Sequence, residues 1–288
     1  MGRHASETIA RLPPLPPRPD DGHKGTFGRV LVVGGSDSMI GAPVLAGTAA
    51  LRMGSGLVQL AMPRGVLAAA LSITPELVGL PLGRGVGSAL VVAANAADAI
   101  VLGPGMGRSP DAAARVQRLI QIERPMVIDA DALNILAEAP SWPRSFKARA
   151  VLTPHPGEMR RLAPLIGRED VPTDDRGRAQ IAVDAARRLG QIIILKGHRT
   201  VVSDGRRVHV NDTGDSTLAK AGSGDVLSGM LGCLLGQGME RFEAAVLAVY
   251  LHGRGGEIAG RKAGRRSALA RDVIDAIAAC LRELEAAR

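Results

Sequence analysis

Ala221-Gly222-Ser223-Gly224-Asp225-Val226-Leu227-Ser228-Gly229-Met230-Leu231 is a glycine-rich turn that runs straight into an apolar helix. Gly222 and Gly224 let the backbone turn tightly and approach a ligand without a Cβ in the way. The first amides of the helix lack intrahelical partners and carry the positive end of the helix dipole. That geometry suits a transferring phosphate or a developing oxyanion. Asp225 falls in the first turn, where it can face the same anion hole and take a proton from a substrate hydroxyl. The spacing leaves a plainer alternative open, in which Asp225 only caps the helix.

Outward from this turn, short apolar runs read as buried strands: Val30–Val33, Leu57–Met62, Ala99–Leu102, Met126–Ile128, Ala150–Leu152 and Ile192–Leu195. Between them, helical spacing appears over Pro43–Met53, Asp111–Gln121, Ala132–Ala137 and Arg176–Leu189, and after Gly224 over 225–236, 240–259 and 270–286. Strands that are apolar throughout and separated by helices predict a mostly parallel sheet covered on both faces. Thr200–Val210 differs, with two β-rich runs flanking Ser203-Asp204-Gly205-Arg206, and predicts a hairpin at the sheet edge. Residues 1–23 contain Leu12-Pro13-Pro14-Leu15-Pro16-Pro17-Arg18-Pro19, whose prolines forbid helix or strand interior. They read as an extended arm packing on the body or on a neighbouring subunit. Residues 24–288 read as a single domain without internal repeats.

Aromatic residues make up 2% of the chain, which argues against a module that stacks bases on aromatic rings. The net charge of +8 is spread among acids along the chain, so it predicts a solvated surface that attracts anionic small molecules, not a nucleic-acid partner. Cys233 and Cys280 lie far apart in apolar surroundings without metal-ligand spacing, as expected of free thiols in a reducing compartment. No apolar run has the length of a membrane span, and the start has no signal-peptide core. The expected location is the cytoplasm.

Further motifs sit where predicted strands end, the side of an open α/β sheet that binds ligands. Thr153-Pro154-His155-Pro156-Gly157-Glu158 holds His155 rigidly between prolines and puts Glu158 in a first helical turn; a Thr-capped helix with a solvent-facing His is the alternative. Asp129-Ala130-Asp131-Ala132-Leu133-Asn134 offers two carboxylates and an amide for a hydrated Mg²⁺ or a substrate, unless Asp131 is a helix cap and Asp129 a plain strand-end acid. Lys196-Gly197-His198-Arg199-Thr200 places a lysine at a strand end to meet phosphate oxygens. Gly34-Gly35-Ser36, Gly41-Ala42-Pro43 and Gly103-Pro104-Gly105-Met106-Gly107 allow close ligand approach, but lack the spacing of a dinucleotide fingerprint. There is no Walker A sequence, no Ser-centred elbow and no Cys/His metal cluster.

In this order the motifs resemble the NAD(P)H-hydrate dehydratase family. The match begins at Lys24-Gly25-Thr26-Phe27-Gly28 and continues through Gly34–Ser36, Gly41–Leu57, Gly103–Gly107, Asp129–Asn134, Thr153–Glu158, Lys196-Gly197 and Ala221–Gly229, covering about residues 24 to 285. The resemblance implies a ribokinase-like three-layer α/β/α sandwich and dehydration of the S epimer of hydrated NADH or NADPH at the expense of a nucleotide phosphate. It implies that Asp225 is the catalytic base, and that Ala42, Gly105, His155 and Asp225 meet the hydrated cofactor. It implies that Lys196, Gly197, His198, Arg199, Thr200, Gly222, Ser223 and Gly224 meet the nucleotide, with Asp129, Asp131, Asn134 and Glu158 in support. ADP as co-substrate, Mg²⁺ with unassigned ligands, a homotetramer and a separate epimerase follow by the same analogy. Gly214-Asp215 departs from the pattern, placing a carboxylate near nucleotide phosphates, and so do His198 and Arg199. The competing readings are a ribokinase-like kinase of a thiazole or hydroxymethylpyrimidine alcohol, and a catalytically silent nucleotide-binding regulator.

Overall fold

The computed structural model describes residues 7–9, 11–139, 141–142 and 146–286. Its strands, in chain order, are β1 (Glu7–Thr8), β2 (Arg29–Val33), β3 (Leu57–Pro63), β4 (Val78–Leu82), β5 (Ala99–Leu102), β6 (Pro125–Ile128), β7 (Arg149–Leu152), β8 (Ile192–Leu195), β9 (Val201–Ser203) and β10 (Arg207–Val210). The helices are α1 (Gly41–Arg52), α2 (Arg64–Ile73), α3 (Ser88–Ala96), α4 (Pro110–Leu119), α5 (Ala130–Glu138), α6 (Pro156–Leu162), α7 (Asp175–Leu189), α8 (Ser223–Gly236), α9 (Arg241–Ala263) and α10 (Ala270–Ala286).

All ten strands join one sheet in the order β1-β10-β9-β8-β7-β6-β5-β2-β3-β4, parallel except where β9 runs against β8 and β10. The interior strands β5 and β8 are buried at every position, which is why they read as unbroken apolar runs. Alternation along β2 sends Val30 and Val32 to one face and Leu31 and Val33 to the other. The first face packs on α1, α8, α9 and α10, the second on α4, α5 and α7. The expected three-layer α/β/α sandwich is therefore present. Among the described residues no helix is long and apolar enough to cross a membrane.

Two features aim α8 at the carboxyl ends of the strands. Gly229 lies against α1 so closely that a Cβ there would come within 1.9 Å of the Ala46 carbonyl oxygen. Only glycine allows that backbone contact. The apolar face of α8 (Val226, Met230, Leu231, Leu234) then seats the helix on the core, with its N-terminal turns at the end of β6, where Ser228 reaches Asp129.

The hairpin of β9 and β10 forms as expected, but it is not the outermost edge. The arm supplies β1, which covers β10 in parallel, and the Ile9 amide donates to the Val208 carbonyl at 2.9 Å. The arm continues across the body, burying parts of Leu12 and Leu15 and laying Arg18 over the Phe27 ring at 3.9 Å. Residues 1–6 and 10 of the expected arm lie outside the described residues.

Candidate active site

The floor of the site is built at the end of β6. Asp129 occupies the cap position of α5 without capping it; its side chain turns inward and is 2% exposed. Oδ1 accepts from Lys196 Nζ at 2.6 Å, and Oδ2 accepts from Ser228 Oγ at 2.6 Å. Burial alone would raise the Asp129 pKa, but the Lys196 charge and hydrogen bonds from Lys196, Ser228 and Thr153 hold it below the ordinary aspartate value. Lys196, at the end of β8, also lies 3.8 Å from Glu158 Oε2. Burial works to lower the Lys196 pKa, yet Asp129, Glu158 and Asp225 keep it raised.

Above this floor stands the glycine turn. Gly222 is the N-cap of α8 with φ +89°, and a Cβ there would press to 2.7 Å from Leu45 Cδ1. No side chain caps the helix, so the capping alternative for Asp225 has no bond to support it. Asp225, third in the helix, makes no hydrogen bond among the described residues, and the amides of Gly224 and Asp225 donate to no protein acceptor there. Burial, and then the negative charge of Asp129, push the Asp225 pKa up to about 7 against the pull of Lys196. A Cβ on Gly224 would lie 3.3 Å from Lys196 Nζ, so turn, lysine and carboxylates share one space. Ser223 Oγ is 3.1 Å from His252 Nε2 on α9, and burial drives the His252 pKa down to about 4, which keeps that ring neutral at pH 7.

The Thr153–Glu158 motif is a capped helix start, but its cap is His155. His155 Nδ1 accepts from the amides of Gly157 (2.9 Å) and Glu158 (3.3 Å), and Glu158 Oε2 accepts from the His155 amide at 2.8 Å. Thr153 is buried instead, its hydroxyl donating to the Ile128 carbonyl at 3.4 Å beside Asp129. The His155 ring stays half exposed, its pKa lowered by burial and by Lys196. Glu158 is raised to about 7, chiefly by burial, with Lys196 opposing and Asp129 adding to the rise.

One cleft of about 590 Å³ gathers Asp129, His155, Glu158, Lys196–Thr200 and Gly222–Asp225, together with His252. Ala42 and Gly105 adjoin each other at neighbouring strand ends, since a Cβ on Gly105 would lie 3.1 Å from Ala42 Cβ, but they do not line that cleft. Asp129, Asp131 and Asn134 do not converge. Asp131 Oδ2 accepts from the Gly107 amide at 2.9 Å, and Asn134 Oδ1 accepts from Arg161 at 3.0 Å. Among the described residues no group of three or more His, Cys, Asp or Glu side chains could hold a metal. The expected Mg²⁺ ligation by this triad does not fit these side chains. The departing Asp215 is already compensated: it accepts from the Thr217 amide at 2.9 Å and pairs with Arg265 at 3.0 Å.

Sequence reasoning missed Ser228 and His252. Ser228 lies one turn after Asp225, a spacing that puts both on one helix face. His252 is a lone histidine on a mostly apolar helix and carries no local signal.

A family model described as NAD(P)H-hydrate dehydratase matches residues 30–279 of the chain. The chain belongs to the NAD(P)H-hydrate dehydratase family. The glycine turn, the Lys196 strip and the buried Asp129 all fall inside the matched span. A curated relative from Moorella thermoacetica, a bifunctional NAD(P)H-hydrate repair enzyme, is 42% identical over 94% of this chain and 52% of its own length. An ADP-dependent (S)-NAD(P)H-hydrate dehydratase from Neisseria meningitidis is 37% identical, covering 91% of this chain and 88% of that one. The chain thus spans about half the length of the bifunctional family member and most of the length of the other. Among solved structures, the ADP/ATP-dependent NAD(P)H-hydrate dehydratase from Bacillus subtilis, co-crystallised with ATP and Mg²⁺, is 29% identical with a TM-score of 0.79, covering 94% of this chain and 95% of that one.

Proposed function

We propose that the protein is an ADP-dependent (S)-NAD(P)H-hydrate dehydratase that returns hydrated NADH and NADPH to the intact cofactors. The observation that carries this reading is the opposite treatment of two neighbouring aspartates. Asp129 is locked as an anion by Lys196 and Ser228, whereas Asp225 has no hydrogen-bond partner among the described residues and is poised near pH 7.

Hydroxide is a poor leaving group from C6 of the hydrated ring, and phosphate is a good one. In the proposed reaction the C6 oxygen attacks the terminal phosphoryl group of ADP, the bond from that phosphorus to the bridging oxygen breaks to release AMP, and Asp225 takes the hydroxyl proton. The free amides of Gly224 and Asp225 stabilise charge on the transferring group. The ring nitrogen's lone pair then expels phosphate, and loss of the C5 proton restores the dihydronicotinamide. His155 and Glu158, with Ala42 and Gly105 beyond, are assigned to the hydrated ring. Lys196–Thr200 and Gly222–Gly224 are assigned to the nucleotide, which brings its own Mg²⁺ on its phosphates. Residues 24–288 act as the catalytic domain, in the cytoplasm and as a tetramer, functionally linked to an epimerase that converts the other hydrate epimer to the S form.

The test is restoration of NADH from its S-hydrate, followed by absorbance and mass spectrometry with ADP and ATP in parallel. NADH formed faster with ADP supports the proposal. A stable phosphorylated alcohol would assign the protein to the kinases of the same fold, and an unchanged mixture would leave a nucleotide binder.

A further inference from the structure

Lys196–Thr200 joins β8 to β9 as a loop with little regular structure, and one buried side chain organises it from behind. Arg178, in the first turns of α7, is 8% exposed and faces no carboxylate within salt-bridge distance among the described residues. Its guanidinium instead gathers four backbone carbonyls. Nη2 donates to Leu195 O at 3.3 Å and Lys196 O at 3.4 Å, while Nη1 donates to His198 O and, at 3.4 Å, to Arg199 O. The start of α7 is itself pinned, because Asp174 caps it through the Gly177 amide at 2.9 Å and Asp175 pairs with Arg199 at 3.0 Å.

A trans peptide points its N–H opposite to its C=O. Carbonyls collected on one side therefore send the following amides to the other. For Leu195 that following amide is Lys196 N–H, which donates to Pro154 O at 2.8 Å. For the remaining three the amides are those of Gly197, Arg199 and Thr200, and none of these donates to a protein acceptor among the described residues. All three residues line the cleft. The same loop holds Arg199 at φ +54°, a conformation that a non-glycine residue keeps only when its surroundings impose it.

We propose that Arg178 is a positioning residue for nucleotide binding: by drawing the carbonyls of 195–199 to the back of the loop, it presents the amides of Gly197, Arg199 and Thr200 to the phosphates of the adenine nucleotide. This rests on the reading of Lys196–Thr200 as the nucleotide strip. The fork geometry of a guanidinium matters here, since a single ammonium cannot span four carbonyls in the same way. The role is remote from the reacting atoms, so it acts on nucleotide affinity and leaves the chemical step alone.

The test uses Arg178→Lys, which keeps the charge, and Arg178→Met, which keeps only the stem. The Kd for ADP is measured by calorimetry, KM and kcat by NADH restoration, and melting by circular dichroism. In the unmutated protein, hydrogen exchange over residues 197–200 is followed with and without ADP. The expected result is that ADP slows exchange in the strip, and that Arg178→Lys melts cooperatively while raising the Kd and KM for ADP about tenfold. The KM for the hydrated dinucleotide and the kcat at saturating ADP stay unchanged, and Arg178→Met shows a larger effect of the same kind. Strip protection with an unaltered ADP Kd in both variants would overturn the role of Arg178 alone. Absence of strip protection would overturn the nucleotide strip and this proposal with it. Loss of cooperative melting in both variants would assign Arg178 to folding, and a fall in kcat at unchanged KM would place it in the chemistry; either refutes the proposal.

Discussion

The floor of the cleft and the glycine turn above it each present an aspartate, and the two residues are in opposite states. At the floor, Asp129 is surrounded by donors: a lysine, a serine and a threonine. At the turn, Asp225 is partly buried, has no hydrogen-bond partner among the described residues, and feels the charge of Asp129. One residue type serves as a fixed anion in the first place and as a base in the second. The difference lies in how many donors reach the carboxylate, since burial raises both. Two titratable groups whose surroundings push them apart are the usual mark of an assigned acid or base.

Replacing each aspartate separates the two regions. Asp225→Asn keeps shape and helix geometry but cannot accept a proton, so kcat for NADH restoration is expected to fall about 10²–10⁴-fold. Its thermal shift with ADP should survive. Near-normal turnover in this variant would break the assignment. Asp129→Ala acts on the fold instead. It strips Lys196 of its closest partner in a buried setting, for which about 3–5 kcal/mol of lost stability is expected by chemical denaturation. A loss under 1 kcal/mol would show that Asp225 and Glu158 already suffice to hold the lysine.

The pH dependence sharpens the comparison. With Asp225 and Glu158 both near 7, the parent kcat/KM should climb with pH through that region, as a property of the coupled pair. In Asp129→Asn one source of negative charge is gone, so the rising limb should move to lower pH. Stability carries a sign as well. The folded-state pKa of Asp225 lies above its unfolded value, so the folded protein loses stability as pH rises from the ordinary aspartate range to about 7. Asp225→Asn removes that loss, and its Tm advantage over the parent should widen from pH 5 to pH 7 and then level off. A constant difference would contradict the raised value.

The smallest effects belong to the rim. Asp215–Arg265 and Arg199–Asp175 are ion pairs with at least one half-exposed partner. Asp215→Asn and Arg265→Ala should each change stability by less than about 1 kcal/mol, read from denaturant midpoints. A larger cost at Asp215 would make it a structural element of the site entrance.

What could be read from the sequence follows the same division. β5 and β8 were legible to the residue because both faces of each are covered, leaving an apolar run cut off by glycine or a charge. The segment from Arg64 to Ala96 was not. β4 carries Gly79 and Pro81 at the sheet edge with Val78 exposed, while α2 and α3 are short and alanine-rich. Asp129, Glu158, Lys196 and Asp225 were legible as candidates because each follows a strand or a glycine turn. The dispersal of Asp131 and Asn134 was not, because their partners Gly107 and Arg161 are 24 and 27 residues away. Arg178 looks in the sequence like any surface arginine of a polar helix, and only the fold shows that its guanidinium is buried behind the strip.

The most direct test of the split between floor and turn is a carbon-13 titration of the aspartate side-chain carboxyls in the ligand-free protein, with Asp225→Asn used to identify its signal. The account predicts that the Asp225 signal titrates near pH 7 while Asp129 stays ionised to well below the ordinary aspartate value. An Asp225 signal that titrates in the ordinary aspartate range, or an Asp129 signal that moves near pH 7, would contradict it.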